Sequence, residues 1–343
     1  YPLEKRGSAM GWYGLSMGAA PVIAPTLAGM IVDIFNWRAI FYISIGIMLI
    51  ALAQAFLVFD DLLETAKRRF DMFSFVLSIF AFGGVTLGIG NLGSAGFLNA
   101  QVLCTLAVGG IASALFANRQ LRAQTPFLDL RVFKNRSFTL SVVSSMLLYL
   151  VMLGSSVMLP LYVQSILGRS ATVSGLLVLP GAAVMAVVSP LAGKIYDKLG
   201  MRLLFILGAC CMLASAVGMF LITLQTPLWV AALLNVLRNA AIACLMMPLV
   251  TWGTSSLAPR FTAHATALLN TLRTIAGAIG MSVFVGIMTA VSNGSEERYG
   301  ELAPLHGLNV SFLWMGLAAL ALLLIGAVCL KRQDAQAAGT GVL

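Results

Sequence analysis

The chain has 343 residues, is 60% hydrophobic and only 10% charged, and carries a formal net charge of +9. Soluble domains run at about 45–50% apolar and about 25% charged, so a soluble globular enzyme is excluded. Nineteen of the 21 Lys and Arg sit in short stretches beside apolar runs, which speaks for membrane topology and against a nucleic-acid surface.

Ten runs of roughly twenty residues read as membrane-spanning helices: about 9–32, 38–59, 72–92, 100–117, 138–163, 173–192, 203–224, 228–252, 265–291 and 308–330. A hydrocarbon core of about 30 Å needs about twenty helical residues, and backbone left unpaired in lipid costs several kcal/mol per group. The chain opens on Tyr1 in a polar stretch that leads straight into the first run, with no signal peptide. Residues 1–60 are therefore expected to be the last two helices of an N-terminal bundle whose beginning is missing. A mixed-charge connector (Asp60, Asp61, Glu64, Lys67, Arg68, Arg69, Asp71) and a longer basic one around Pro126 bracket two Gly-rich runs. Residues 61–137 thus read as a linker region holding an extra hairpin. The spans in 138–332 read as a six-helix C-terminal bundle, and 333–343 as a cytoplasmic tail.

Sixteen of the 21 basic residues fall in alternate gaps, against three (Arg38, Arg169, Arg298) in the others. The positive-inside rule then places both ends of the chain in the cytoplasm of a multi-pass inner (plasma) membrane protein. All five cysteines (Cys104, Cys210, Cys211, Cys244, Cys329) lie inside apolar runs, so neither disulfides nor a metal site is expected.

Within the spans, polar residues are few enough to name. Arg238 lies about ten residues into its run, roughly 15 Å deep, with Asn235 and Asn239 at i−3 and i+1. A centred Arg costs at least ~2.5 kcal/mol, so it must face protein, water or a ligand. Arg273 has Asn270 at i−3. Those five, with Tyr149 and Gln164, are the candidate substrate or cavity residues, with helix–helix packing the alternative for each. No Asp or Glu lies deep in a span. His264 and His306 lie near opposite faces with no converging carboxylates, which disfavours a membrane-embedded lipid-modifying enzyme.

Two motifs carry more. Gly193-Lys-Ile-Tyr-Asp197-Lys-Leu-Gly200-Met-Arg202 has the spacing G-x3-D-x2-G-x-R in a gap between spans. Its glycines permit a tight interhelical turn, and Asp197 can accept from helix-start amides or a nearby Arg. In the first span, Gly11, Ala20, Ala24-Pro25 and Ala28-Gly29 set small residues at g-x8-G-x3-G-P-x2-G-G offsets. These offsets allow close helix approach, and Pro25 bends the helix.

The first motif resembles the loop motif of the major facilitator superfamily, and the second its antiporter motif with alanine in place of three glycines. Tyr1-Pro2-Leu3-Glu4-Lys5-Arg6-Gly7, Trp37-Arg38-Ala39-Ile40-Phe41, Leu161-Tyr162-Val163-Gln164 and Asn270-Thr271-Leu272-Arg273 resemble the fourteen-helix drug:proton antiporters. The resemblance covers essentially the whole chain. It implies an all-α integral membrane, major-facilitator-type bundle holding about ten transmembrane helices of an original fourteen, with the first four missing. It further implies a multidrug efflux permease that moves amphipathic small molecules by alternating access. The proton gradient would drive it, without a cofactor. Its coupling acid would lie in the absent helices, and Gly193, Asp197, Gly200, Arg202, Pro25 and Gly29 would act in gating. The partners implied are a small-molecule substrate, the lipid bilayer and the missing helices, with no nucleic acid. The alternative is a non-transporting truncated membrane subunit.

Overall fold

The computed structural model describes residues 24, 26–58, 71–91, 99–123, 126–258 and 261–330, with the backbone alone at 197, 198, 329 and 330. Among these, nine helices are long and apolar enough to cross a membrane. They match nine of the ten expected spans. Of the first expected span only residue 24 and the helical stretch 26–34 are described, and Pro25 lies outside the described residues.

The helices are α1 (Trp37–Val58), α2 (Met72–Gly90), α3 (Ala100–Arg122), α4 (Arg136–Pro160), α5 (Ala171–Leu199), α6 (Met201–Phe220), α7 (Leu228–Ser255), α8 (Thr262–Gly294) and α9 (Ala303–Ile325). Several outrun their apolar cores. α3 extends from the expected 117 to Arg122 because its last turns, Asn118-Arg119-Gln120-Leu121-Arg122, are good helix formers that need no lipid. α4 passes beyond Pro160 into a π-helical turn, Leu161–Ile166, where the Leu167 amide donates to the Tyr162 carbonyl (3.0 Å) and the Tyr162 hydroxyl to the Thr223 carbonyl (3.0 Å).

α4 to α9 pack around a core in which Leu148, Met158, Phe205, Met212, Leu245, Phe284 and Phe312 meet. α4 lies on α8 as α7 lies on α5, and α9 touches α4 as α6 touches α7; α4 and α7 are in contact, as are α6 and α9. Exchanging α4 with α7, α5 with α8 and α6 with α9 maps this set of neighbours onto itself. That is the pattern of two three-helix repeats. Small residues permit the closest approaches: Gly154, Gly277 and Gly280 sit where any Cβ would strike the facing helix of the α4–α8 pair.

α2 and α3 form a hairpin that crosses at Gly84 and Gly109, backbone on backbone. It docks on α8 through a second apolar cluster that includes Ala81, Phe116, Phe138 and Leu268. Its basic end is tied by polar side chains. Asp71 caps α2, accepting from the Ser74 amide (3.1 Å) and hydroxyl (2.6 Å), and pairs with Arg119 at 3.1 Å. Buried Gln120 donates to Ser74 Oγ (2.9 Å) and accepts from the Leu128 amide (3.1 Å). The Ser74 hydroxyl and amide, with Arg119 behind them, hold the Asp71 carboxyl at about 2. Because the folded value lies below the unfolded carboxylate value of about 3.9, the stabilisation is full above pH 4 or so and is lost as pH falls towards 2. Hydrogen exchange of α2 should therefore accelerate between pH 4 and 2 in the wild type, relative to an Asp71→Asn chain whose protection lacks that step.

No residue of α1 is buried among the described residues. Trp37 meets Phe41 edge-on at 6.0 Å, and the Arg38 guanidinium lies over the indole at 4.4 Å.

Candidate functional site

The polar residues singled out in α7 do come together. Asn235, Arg238 and Asn239 are 3%, 9% and 9% exposed, on successive turns of one helix face. Asn235 is the hub. Its Oδ1 accepts from Arg238 Nη2 (2.5 Å) and from Asn239 Nδ2 (3.1 Å), and its Nδ2 donates to the Val178 carbonyl on α5 (3.3 Å). Asn239 Nδ2 also donates to the Asn235 carbonyl (2.8 Å). Gly181 faces both amides, and a Cβ there would come within 2.6 Å of each side-chain nitrogen. Only glycine leaves them room.

The Arg238 head points into the six-helix bundle, between Leu159 of α4, Ser215 and Met219 of α6 and Phe312 of α9. A second small cavity, lined by Ser155, Met212 and Met315, lies on its other flank. Each holds about 10 Å³, room for a single water. Arg238 Nε is buried with no partner among the described residues. The Ser155 and Ser215 hydroxyls donate to the Val151 and Leu234 carbonyls (2.7 Å each), so their oxygens remain free to accept. The sequence reading left Arg238 between a substrate cavity and helix–helix packing; here packed side chains of four helices and two small cavities surround it.

A second group joins α4 to α8. The Arg273 guanidinium stacks over the Tyr149 ring at 4.7 Å, a cation–π contact made possible by the glycine seam between the two helices. Arg273 is half-buried, with its Nε unpartnered among the described residues. Asn270 and Thr274 are exposed one turn apart on the same helix, the Thr274 hydroxyl donating to the Asn270 carbonyl (2.8 Å).

The third group crosses between distant parts of the chain. The helical stretch 26–34 lies against the start of α5. Gly29 is flush with the Ala171 carbonyl, and the Thr26 hydroxyl donates to the Gly175 carbonyl (3.3 Å). Asp33 accepts from the Ala171 amide (3.2 Å), the Thr172 amide (2.7 Å) and the Thr172 hydroxyl. The carboxylate thus satisfies amides that the first turn of a helix leaves open, at the positive end of its dipole. Beside this seam is a cavity of about 230 Å³, lined by Gly29, Pro160, Gln164, Ser174, Gly175 and Val178 among others. Gln164 and Gly29, named separately from the sequence, therefore line one space. Asp33 lies at the end of its helical stretch; its partners lie 138 and 139 residues away, and no local sequence pattern links them.

The loop motif folds differently from its expected turn. α5 continues through Gly193 to Leu199, since nothing in Ile195-Tyr-Asp-Lys-Leu199 breaks a helix, and α6 starts at Met201. The corner is the single residue Gly200, at φ 73° and ψ −174° with its amide on the Tyr196 carbonyl (2.9 Å). Arg202 is exposed just beyond it; the Asp197 side chain lies outside the described residues. That backbone region is nearly closed to residues with a Cβ, at a cost of roughly 1–3 kcal/mol. Gly200→Ala should lower thermal stability accordingly, whereas Gly193→Ala, which meets nothing within 4 Å, should leave the unfolding midpoint unchanged.

Among the described residues no group of three or more His, Cys, Asp or Glu is placed to hold a metal. Two three-helix repeats, buried polar clusters and an apolar exterior define a polytopic membrane protein of the transporter class. The profile of the Major Facilitator Superfamily matches residues 1–281, and the chain belongs to that superfamily. It is similar to the uncharacterized MFS-type transporter YcnB of Bacillus subtilis (36% identity, covering 97% of this chain and 71% of the relative). It is also similar to the lincomycin resistance protein LmrB of Listeria monocytogenes (36%, 89% and 64%) and to the multidrug export protein EmrB of Escherichia coli (29%, 84% and 57%). The chain thus spans between about half and three-quarters of the length of these relatives. The family resemblance read from the sequence is borne out.

Proposed function

We propose that the chain works in a proton-coupled efflux transporter of the plasma membrane, exporting amphipathic small molecules by alternating access. The observation that carries this reading is the seam at Asp33. Two segments more than 130 residues apart are clasped by a carboxylate on a helix start, beside a cavity of about 230 Å³. A contact of that kind suits a gate, because it can open by rigid motion of one helix without unfolding either. The names of the relatives, lincomycin resistance and multidrug export, support an amphipathic drug-like cargo.

In this reading, residues 1–60 belong to the first bundle, 61–137 to the linker and hairpin, 138–332 to the second bundle, and 333–343 to a cytoplasmic tail. Sixteen basic residues on one side put Gly193, Asp197, Gly200 and Arg202 at the cytoplasmic face and Asp33 at the outer one. Asn270, Arg273, Tyr149 and Gln164 face the path of the substrate, while Asn235, Arg238 and Asn239 hold the second bundle together from within.

The test is transport by the complete reading frame in everted vesicles carrying a pH gradient. Lincomycin and a panel of lipophilic cations should each release protons from the energised vesicles, and Asn270→Ala or Gln164→Ala should alter the relative response among compounds. Correctly inserted protein that gives no proton release with any compound would overturn the proposal.

A further inference from the structure

The hairpin of α2 and α3 carries a groove that the transport reading leaves unused. It opens at the basic end of the hairpin and measures about 560 Å³. Phe73 and Leu77 of α2 and Leu115 of α3 form its walls, and Asp71, Asn118, Arg119 and Arg122 form its mouth. The two ends differ sharply in chemistry. Phe73 is 62% and Leu115 54% exposed, so the walls are an open apolar surface on two helices long and apolar enough to cross a membrane. The mouth is cationic. Arg119 pairs with Asp71 and stacks on Phe73 at 5.0 Å. Arg122 is exposed and makes no ion pair among the described residues. Arg131 lies at the same end, its Nη2 donating to the Leu121 and Ala123 carbonyls (3.2 Å each). Asp129, which caps the turn holding Arg131, is a second carboxylate at this end, so three guanidiniums against two carboxylates leave one net positive charge, and Lys67, Arg68 and Arg69 precede Asp71 in the chain.

We propose that this groove binds an anionic phospholipid, its phosphate held by Arg122 and Arg119 and one acyl chain laid along Phe73, Leu77 and Leu115. Guanidinium groups match phosphate oxygens in charge and in paired donor geometry, and basic pockets between spanning helices on the positive side of a protein favour anionic headgroups. A free phosphate would use only the mouth. A zwitterionic lipid would use the walls but gain little from the net positive charge. The combination selects a ligand with a negative head and an apolar tail, from the leaflet on the basic side.

Native mass spectrometry of the chain in neutral detergent tests this with three probes: phosphatidylglycerol, phosphatidylcholine and glycerol 3-phosphate. Phosphatidylglycerol should be retained in preference to phosphatidylcholine. Arg122→Gln should weaken phosphatidylglycerol retention about fivefold, the loss expected for one basic residue at an anionic headgroup, with phosphatidylcholine retention unchanged. Arg122→Lys should keep most of the preference, and Leu115→Asn should weaken both lipids. An unchanged thermal midpoint for Arg122→Gln, expected at an exposed position, separates lost binding from lost fold. Equal retention of the two lipids by the wild type, or full retention of phosphatidylglycerol by Arg122→Gln, would overturn the proposal. Displacement of the lipid by glycerol 3-phosphate would overturn it too, by making the mouth a free phosphate site.

Discussion

Asp33→Ala should open the seam between the helical stretch 26–34 and α5. Asp33 takes two amides and a hydroxyl at the α5 start, and alanine leaves all three without that partner. The consequence is a shift between conformations, since the contact joins two segments without holding the interior of either. Hydrogen bonds to an ionised acceptor are among the stronger ones, and losing one in a two-state equilibrium changes the open population on the order of tenfold. The readout is a cysteine placed at Ser174, which is 3% exposed and lines the adjoining cavity. In a background with the native cysteines replaced, an impermeant thiol reagent should label Ser174→Cys about tenfold faster when Asp33 is also alanine. Asp33→Asn, which keeps an acceptor oxygen but not the charge, should fall between. Equal labelling in all three would remove Asp33 from any gating role.

Asn235→Ala should be the most destabilising single change in the bundle, and Arg238→Met should undo most of it. Asn235 is the partner shown for the Arg238 head and also reaches the Val178 carbonyl. Removing it strands a buried guanidinium, for a cost of about 2–4 kcal/mol. Replacing the arginine has the opposite logic. The site is apolar apart from Asn235 and two serines, so a methionine of similar length removes a desolvated charge, and stability should stay level or rise by about 1–4 kcal/mol. In the double variant the loss at Asn235 should shrink by at least about 1 kcal/mol, the signature of direct coupling. Thermal or denaturant unfolding in detergent reads all four corners of this cycle. If Arg238→Met alone is as harmful as Asn235→Ala, the guanidinium has compensation beyond Asn235.

The spans were legible because lipid imposes a length and a composition on any helix that crosses it. The helix ends were less so: α3 and α5 run on through polar residues that hydropathy treats as loop, and the corner after α5 shrinks to Gly200. Asn235 and Arg238 were legible as a pair from their i, i+3 spacing. Where Arg238 points was not, because Gly181, Ser215 and Phe312, on three other helices, decide it. Tyr149 and Arg273 were each picked out, yet their stacking depends on glycines at 154, 277 and 280 that let α4 and α8 meet. Asp33 shows the limit most plainly. A carboxylate at a span end looks like ordinary solvent-facing charge until a helix start is brought to it from 138 residues away.

α5 carries the seam at Thr172 and the amide contact at Val178 on a single helix, about 9 Å apart along its axis at 1.5 Å per residue. As a stiff lever pivoting at the seam, α5 need tilt only about 5° to carry the Val178 carbonyl by about 0.8 Å. The Asn235 bond to that carbonyl is already 3.3 Å long, and hydrogen bonds fade beyond about 3.5 Å. If α5 moves as the proposed gating requires, a tilt that lengthens this bond breaks it before either helix has to bend.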